Sequence, residues 1–112
     1  MNISGRVALV TGSGHGIGRG IAYKLAQEGV WVVVNWSRDE SAAEHTINHI
    51  TEIGGQAIAV RADVGEVEEC QELVSRSEEA FGPVEILICN AGIGQPNSVI
   101  DTSDAEWERV IN

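Results

Sequence analysis

The stretch Val7-Ala8-Leu9-Val10-Thr11-Gly12-Ser13-Gly14-His15-Gly16-Ile17-Gly18 decides how this chain is read. An apolar run halts at a threonine, and glycine then fills every second position until an apolar helix begins. Glycine lacks a Cβ, so it takes φ > 0 without strain and lets an anion approach the backbone closely. The helix beyond such a turn offers unpaired N–H groups and the positive end of its dipole. Strand, turn and helix start therefore form a cradle for a nucleotide pyrophosphate, with Gly12, Ser13, Gly14, His15, Gly16, Ile17 and Gly18 as its residues.

Working outward, Ile17, Ile21, Ala22 and Leu25 recur at helical spacing up to Gly29. Val30 to Val34 is a continuous β-branched run, as expected of a strand covered on both faces. A second helix shows Ala43, Ile47, Ile50 and Ile53 on one stripe before Gly54-Gly55 stops it. Ala57 to Val60 reads as a third strand. Val67, Cys70, Val74 and Phe81 mark the inner face of an acidic helix ending at Gly82-Pro83. Val84 to Cys89 is a fourth strand, followed by the turn Asn90-Ala91-Gly92. A loop with Pro96 then leads to a helix capped by Ser103 or Asp104, with Glu106 in its first turn.

Strand and helix alternate throughout with short connections, so the fold class is α/β: a doubly wound parallel sheet with right-handed crossovers. The expected strand order is 3-2-1-4. Residues 1–112 make one domain, read as the first nucleotide-binding half of such a fold plus one helix, with the remainder absent. Left bare, the fourth strand would be an exposed apolar edge prone to association.

Composition sets limits on function. Hydrophobic content of 43% and charged content of 21% are those of a globular domain. No apolar run approaches the ~20 residues of a membrane span, and no signal-peptide pattern opens the chain. Cys70 and Cys89 lack metal-ligand spacing, which fits a reduced, cytoplasmic protein. A net charge of −10 argues against a nucleic-acid partner and against docking on anionic lipid. Much of the acidity comes from Glu66, Glu68, Glu69, Glu72, Glu78 and Glu79, which read as one solvated helix face. His45 and His49 stand at i,i+4 but lack a third ligand, so they read as surface residues and no metal is expected. Cys89 reads as a small buried apolar residue, Trp31 as packing, and Trp36 as packing or as a border of the adenine.

Two glycine fingerprints fail. The pattern G-x-G-x-x-G meets Ile17 if begun at Gly12 and Arg19 if begun at Gly14, and no phosphate loop ending in Gly-Lys-Ser/Thr is present. What fits is Thr11-Gly12-x-x-x-Gly16-Ile17-Gly18, with Asp63-Val64 after the third strand, Asn90-Ala91-Gly92 after the fourth, and Trp107 on the next helix. In these four ordered motifs the chain resembles the short-chain dehydrogenase/reductase family over essentially its whole length. Cys89 stands where the family's Asn-Asn-Ala-Gly has its first asparagine. The resemblance implies a Rossmann-type fold, a nicotinamide dinucleotide in the glycine cradle, Asp63 at the adenine, and a homo-oligomeric full-length enzyme. Among members, the Val-Asn-Trp-Ser-Arg segment and the Gly-Gly-Gln-Ala-Ile-Ala-Val run look most similar to 3-oxoacyl-carrier-protein reductases and bacterial sugar dehydrogenases.

Charge argues the choice of cofactor. NAD sites place a carboxylate at the end of the second strand to accept from the ribose hydroxyls, whereas NADP sites replace it and supply a cation for the 2′-phosphate. Here that place holds Trp36, followed by Ser37 and Arg38. Arg38 carries a planar fork suited to phosphate, and His15 sits where NADP-dependent relatives often carry Arg or Lys. The competing readings are a solvated Arg38 paired with Asp39 or Glu40, and a neutral His15 that merely fits the loop. The balance favours NADP(H) over NAD(H).

Members of the family transfer hydride between the nicotinamide and a carbonyl or alcohol. A Tyr-x-x-x-Lys pair on one helix face supplies the general acid/base. Tyr23 and Lys24 are adjacent and so point about 100° apart on a helix; both read as surface residues. The family's catalytic asparagine falls two residues past Asn112, which is itself out of place. No catalytic residue is assigned, and the chain alone is expected not to catalyse the reaction. Two alternatives stand beside this reading: a non-enzymatic dinucleotide-sensing module, and an S-adenosylmethionine-dependent methyltransferase. The latter shares the alternating glycines but would want acidic residues where Val10 and Trp36 stand.

Overall fold

The computed structural model describes residues 2–14 and 16–90. Its elements run β1 (Val7–Val10), α1 (Gly16–Gln27), β2 (Trp31–Trp36), α2 (Glu40–Glu52), β3 (Ala57–Arg61), α3 (Val67–Phe81) and β4 (Ile86–Ile88). The four strands form one parallel sheet in the order β3-β2-β1-β4, as the alternation of elements predicts.

The period-two geometry of a strand explains why both faces of this sheet are covered. In β1, Ala8 and Val10 point one way and Leu9 the other; in β2, Val32 and Val34 oppose Val33. Ala8, Val10, Val32 and Val34 pack with Ala22 and Ala26 of α1 and Ala43 and Ile50 of α2. Leu9 and Val33 pack on the opposite face with Val60, Ala62 and Leu73 of α3. Two helices thus cover one face and the third covers the other. All four residues of β1 are buried, which is why its sequence shows no polar alternation.

The buried helix faces differ in detail from the apolar stripes. In α1 the buried residues are Gly18, Ala22 and Ala26, so the helix meets the sheet through its smallest side chains, while Ile17 is 75% exposed. In α2 they are Ala43, Thr46 and Ile50; Ile53 is the residue that caps the helix and stays largely exposed. In α3 they are Cys70, Leu73 and Ser77, with Val67 exposed and Val74 and Phe81 half-buried. Ser77 is tolerated inside because its hydroxyl donates to the Leu73 carbonyl at 2.7 Å. The Asp39 carboxylate caps α2 by accepting from the Ala42 N–H at 3.0 Å. β4 is shorter than its apolar run, and Val84 and Cys89 flank it. The helix expected after Ser103 lies outside the described residues.

Leu9 is fully buried between β2, β3 and α3. Leu9→Ala is expected to lower the unfolding free energy by about 2–5 kcal/mol through lost burial and a residual cavity. Urea denaturation followed by circular dichroism checks this.

Candidate functional site

The parallel order brings the C-terminal ends of all four strands to one edge, where sheets of this kind form their ligand crevice. The glycine turn lies there. Gly12 and Gly16 have φ of 61° and 66°, the left-handed region that favours glycine. Gly18 is required for a different reason. A Cβ there would overlap the Gly12 carbonyl oxygen and lie 2.7 Å from Asn90 Nδ2 and 2.9 Å from Ser13 Cα. Helix α1 can therefore start close beneath the turn only if this position has no side chain.

Hydrogen bonds fix the shape of the turn. The buried Ser13 hydroxyl donates to the Val10 carbonyl at 2.6 Å and accepts from the Asn35 N–H at 3.1 Å. Ser13 N–H donates to the Asn35 carbonyl at 3.1 Å. The Asn35 side chain accepts from Gly12 N–H at 3.3 Å and donates to the Val60 and Ala62 carbonyls at 3.3 and 3.2 Å. One buried amide at the end of β2 thus ties the glycine turn to the end of β3, next to Asp63. On the other side, Asn90 N–H donates to the Thr11 hydroxyl at 2.8 Å, and Thr11 N–H donates to the Ile88 carbonyl at 2.9 Å. Asn90 is thereby held against the start of the turn.

At the far end of the crevice, Trp36 and Ser37 are half-buried and Arg38 is exposed. Asp63 and Val64 are half-buried in a tight loop. The Asp63 carboxylate accepts from Gly65 N–H at 2.9 Å, and the Cys70 thiol donates to the Val64 carbonyl at 3.0 Å. Among the described residues, Arg6, Lys24, Arg61 and Arg76 each pair with a glutamate. Among the described residues Arg19 and Arg38 pair with no carboxylate, and Asp39, the suggested partner of Arg38, is occupied in capping α2. The two described cations without a described carboxylate partner therefore both lie near the C-terminal edge of the sheet, Arg19 in the first turn of α1 and Arg38 just past β2.

The structure brings Gly12, Ser13, Gly14, Gly16, Ile17, Gly18 and Asn90 together at the turn. Trp36, Ser37, Arg38, Asp63 and Val64 stand on the neighbouring strand ends. His15, Ala91, Gly92, Trp107 and Asn112 lie outside the described residues. Asn35, Arg19 and Thr46 are contributors that sequence reasoning missed. The signal for Asn35 was available, since it is a lone amide closing an otherwise apolar strand. Lys24 is exposed and paired with Glu28 at 3.4 Å, as a surface lysine should be. Tyr23 is half-buried rather than superficial, its ring centroid 4.1 Å from that of His49. Among the described residues no group of three His, Cys, Asp or Glu could hold a metal ion, and no helix is long and apolar enough to cross a membrane. A concavity at the opposite end of the sheet, lined by Ala26, Trp31, Ile53 and Gly55 among others, carries no charged side chain.

With this geometry in place, comparison with known proteins decides the family. Residues 6–112 match the family model described as short chain dehydrogenase. The chain belongs to the short-chain dehydrogenase family. A probable tetrahydroxynaphthalene reductase of Zymoseptoria tritici is 41% identical over 108 residues, covering 96% of this chain and 40% of that protein. A versicolorin reductase of Emericella nidulans is 42% identical over 108 residues, covering 96% of this chain and 41% of its own length. The crystal structure of a short chain dehydrogenase from Burkholderia cenocepacia in complex with NADP superposes with a TM-score of 0.80 at 33% identity, covering 99% of this chain and 45% of that one. This short-chain dehydrogenase chain thus spans about two fifths of the length of the curated relatives it matches.

Two outcomes follow for this site. Asn35→Ala leaves Gly12 N–H and two strand-end carbonyls without their partner, so it is expected to destabilise the fold by about 2–3 kcal/mol, measurable by thermal unfolding. Cys89 is half-buried, and burial, reinforced by nearby Cys70, pushes its thiol above the usual range. A raised thiol pKa means less thiolate at a given pH, so alkylation of Cys89 by iodoacetamide at pH 8 should be slower than that of an unfolded peptide containing it.

Proposed function

We propose that this chain is the NADP(H)-binding portion of a short-chain dehydrogenase/reductase that moves hydride between the nicotinamide and a carbonyl or alcohol substrate. The observation that carries the choice of NADP(H) is Arg38. It stands exposed, without a carboxylate partner among the described residues, just past the end of β2, where Trp36 replaces the acidic residue an NAD site would use. In a chain of net charge −10, an unpaired guanidinium beside a crevice is a local attraction for a phosphate dianion. The NADP held by the Burkholderia relative supports the same reading.

In this reading the chain's own residues bind and orient. Gly12, Ser13, Gly14, His15, Gly16, Ile17 and Gly18 receive the pyrophosphate at the start of α1, where the helix dipole and free N–H groups favour anions. Trp36, Ser37 and Arg38 receive the adenosine ribose and its 2′-phosphate. Asp63 and Val64 border the adenine, and Asn90, Ala91 and Gly92 complete the set of cofactor-binding residues. The bound cofactor supplies the hydride chemistry. The chain has no Tyr-x-x-x-Lys pair, since Tyr23 and Lys24 are adjacent, so the 112 residues bind cofactor without performing the transfer.

Calorimetric titration with NADP+ and NAD+ tests the assignment. NADP+ should bind at least about tenfold more tightly, a difference of ~1.4 kcal/mol, and Arg38→Ala should remove that preference while leaving NAD+ affinity unchanged. Equal affinities in the unsubstituted chain, unaffected by Arg38→Ala, would overturn the preference for NADP(H).

A further inference from the structure

The other described cation without a described carboxylate partner, Arg19, reaches across from the first turn of α1 to α2. Its Nε donates to the Thr46 hydroxyl at 2.9 Å and its Nη2 to the Ala42 carbonyl at 3.0 Å. Thr46 sits in the middle of α2 and is fully buried. Its hydroxyl lies 3.0 Å from the Gly14 carbonyl, 3.1 Å from the Ala42 carbonyl and 3.4 Å from the Ser13 carbonyl. A hydroxyl has one proton to give. Within a helix, that proton normally goes to the carbonyl four residues back, here Ala42. Arg19 already donates to Ala42, and it also fills a lone pair of the hydroxyl. The proton is thereby released toward the nearest remaining acceptor, Gly14 of the glycine turn.

We infer that Arg19 and Thr46 are positioning residues of the phosphate cradle, a relay from α1 through α2 that holds the Gly14 carbonyl inward and keeps a positive charge without a carboxylate partner among the described residues beneath the turn. Anchored on Thr46, the Gly14 carbonyl oxygen is turned toward α2 and out of the space an anion would take above the turn. α2 also packs directly on the turn: a Cβ added at Gly14 would touch Ala42 Cβ at 3.7 Å. A charged donor strengthens the hydrogen bond beyond it, so the two side chains act as one unit. The inference rests on the reading that this cradle binds a nicotinamide dinucleotide. It concerns the pyrophosphate, which NAD and NADP share, and not the 2′-phosphate at Arg38.

The test is calorimetric titration of the 112-residue chain with NADP+ and with NAD+, alongside unfolding midpoints measured without ligand. Thr46→Val, which keeps the shape and removes the hydroxyl, should weaken both cofactors by about tenfold, as should Arg19→Met. Thr46→Ser should restore affinity to within about twofold, and the double variant Arg19→Met/Thr46→Val should be little worse than either single one, because the residues form one chain of bonds. Arg19→Met should also flatten the dependence of affinity on ionic strength, which loss of packing alone would not do. Arg19→Met is a partly solvent-facing change and keeps the test decisive if Thr46→Val fails to fold. Unchanged cofactor affinity in Arg19→Met, or weakening confined to NADP+, would overturn the inference while leaving the proposed function intact. If the unsubstituted chain binds neither dinucleotide, the proposed function falls and the inference with it.

Discussion

The candidate site depends on one buried amide. Asn35 closes β2 with a side chain that bonds the glycine turn on one side and the end of β3 on the other. A buried polar group is costly unless satisfied, and stabilising when every partner is in place. Asn35 accepts once and donates to both strand-end carbonyls, so its placement specifies how far apart the two loops sit. A hydrophobic residue there would pack equally well against the core and leave the turn with no fixed relation to Asp63.

A second constraint acts from below. Gly18 lets α1 approach the turn until its backbone touches Gly12 and Ser13, and Ala22 and Ala26 continue that close approach along the sheet. Small residues inward and a larger one, Ile17, outward reverse what a simple apolar stripe suggests. The helix N-terminus is thereby brought to the strand ends, where its dipole meets a developing ligand site. Electrostatics then act locally. Four described cations pair with glutamates, while among the described residues Arg19, bonded to α2 beneath the turn, and the exposed Arg38 have no carboxylate partner, so positive charge stays near where an anionic cofactor would lie.

Much of this was legible in the residues alone. The run Val7–Val10 before the glycines, and Val30–Val34 beyond them, gave strands covered on both faces because no polar residue interrupts them. The order 3-2-1-4 followed from the alternation of elements and the handedness of crossovers. The glycine spacing with Asp63 and Asn90-Ala91-Gly92 pointed to the family to which the chain belongs. Less legible was which residue of each stripe faces inward. Thr46 and Ser77 are polar yet buried, since a hydroxyl can satisfy itself on a nearby carbonyl, and Val67 and Ile53 are apolar yet exposed, since they stand at helix ends.

The sequence by itself determined the α/β class, the cradle and its family, because those depend on local period, glycine placement and motif order, all written along the chain. The tertiary structure alone decided which groups hold the cradle in shape and which described cations are paired with glutamates. Asn35, Arg19 and Thr46 act on residues 22 to 33 positions away, through bonds made only once the strands lie side by side. Hydrogen bonding at such separation is a property of the packed sheet and its helices, and no linear pattern encodes it.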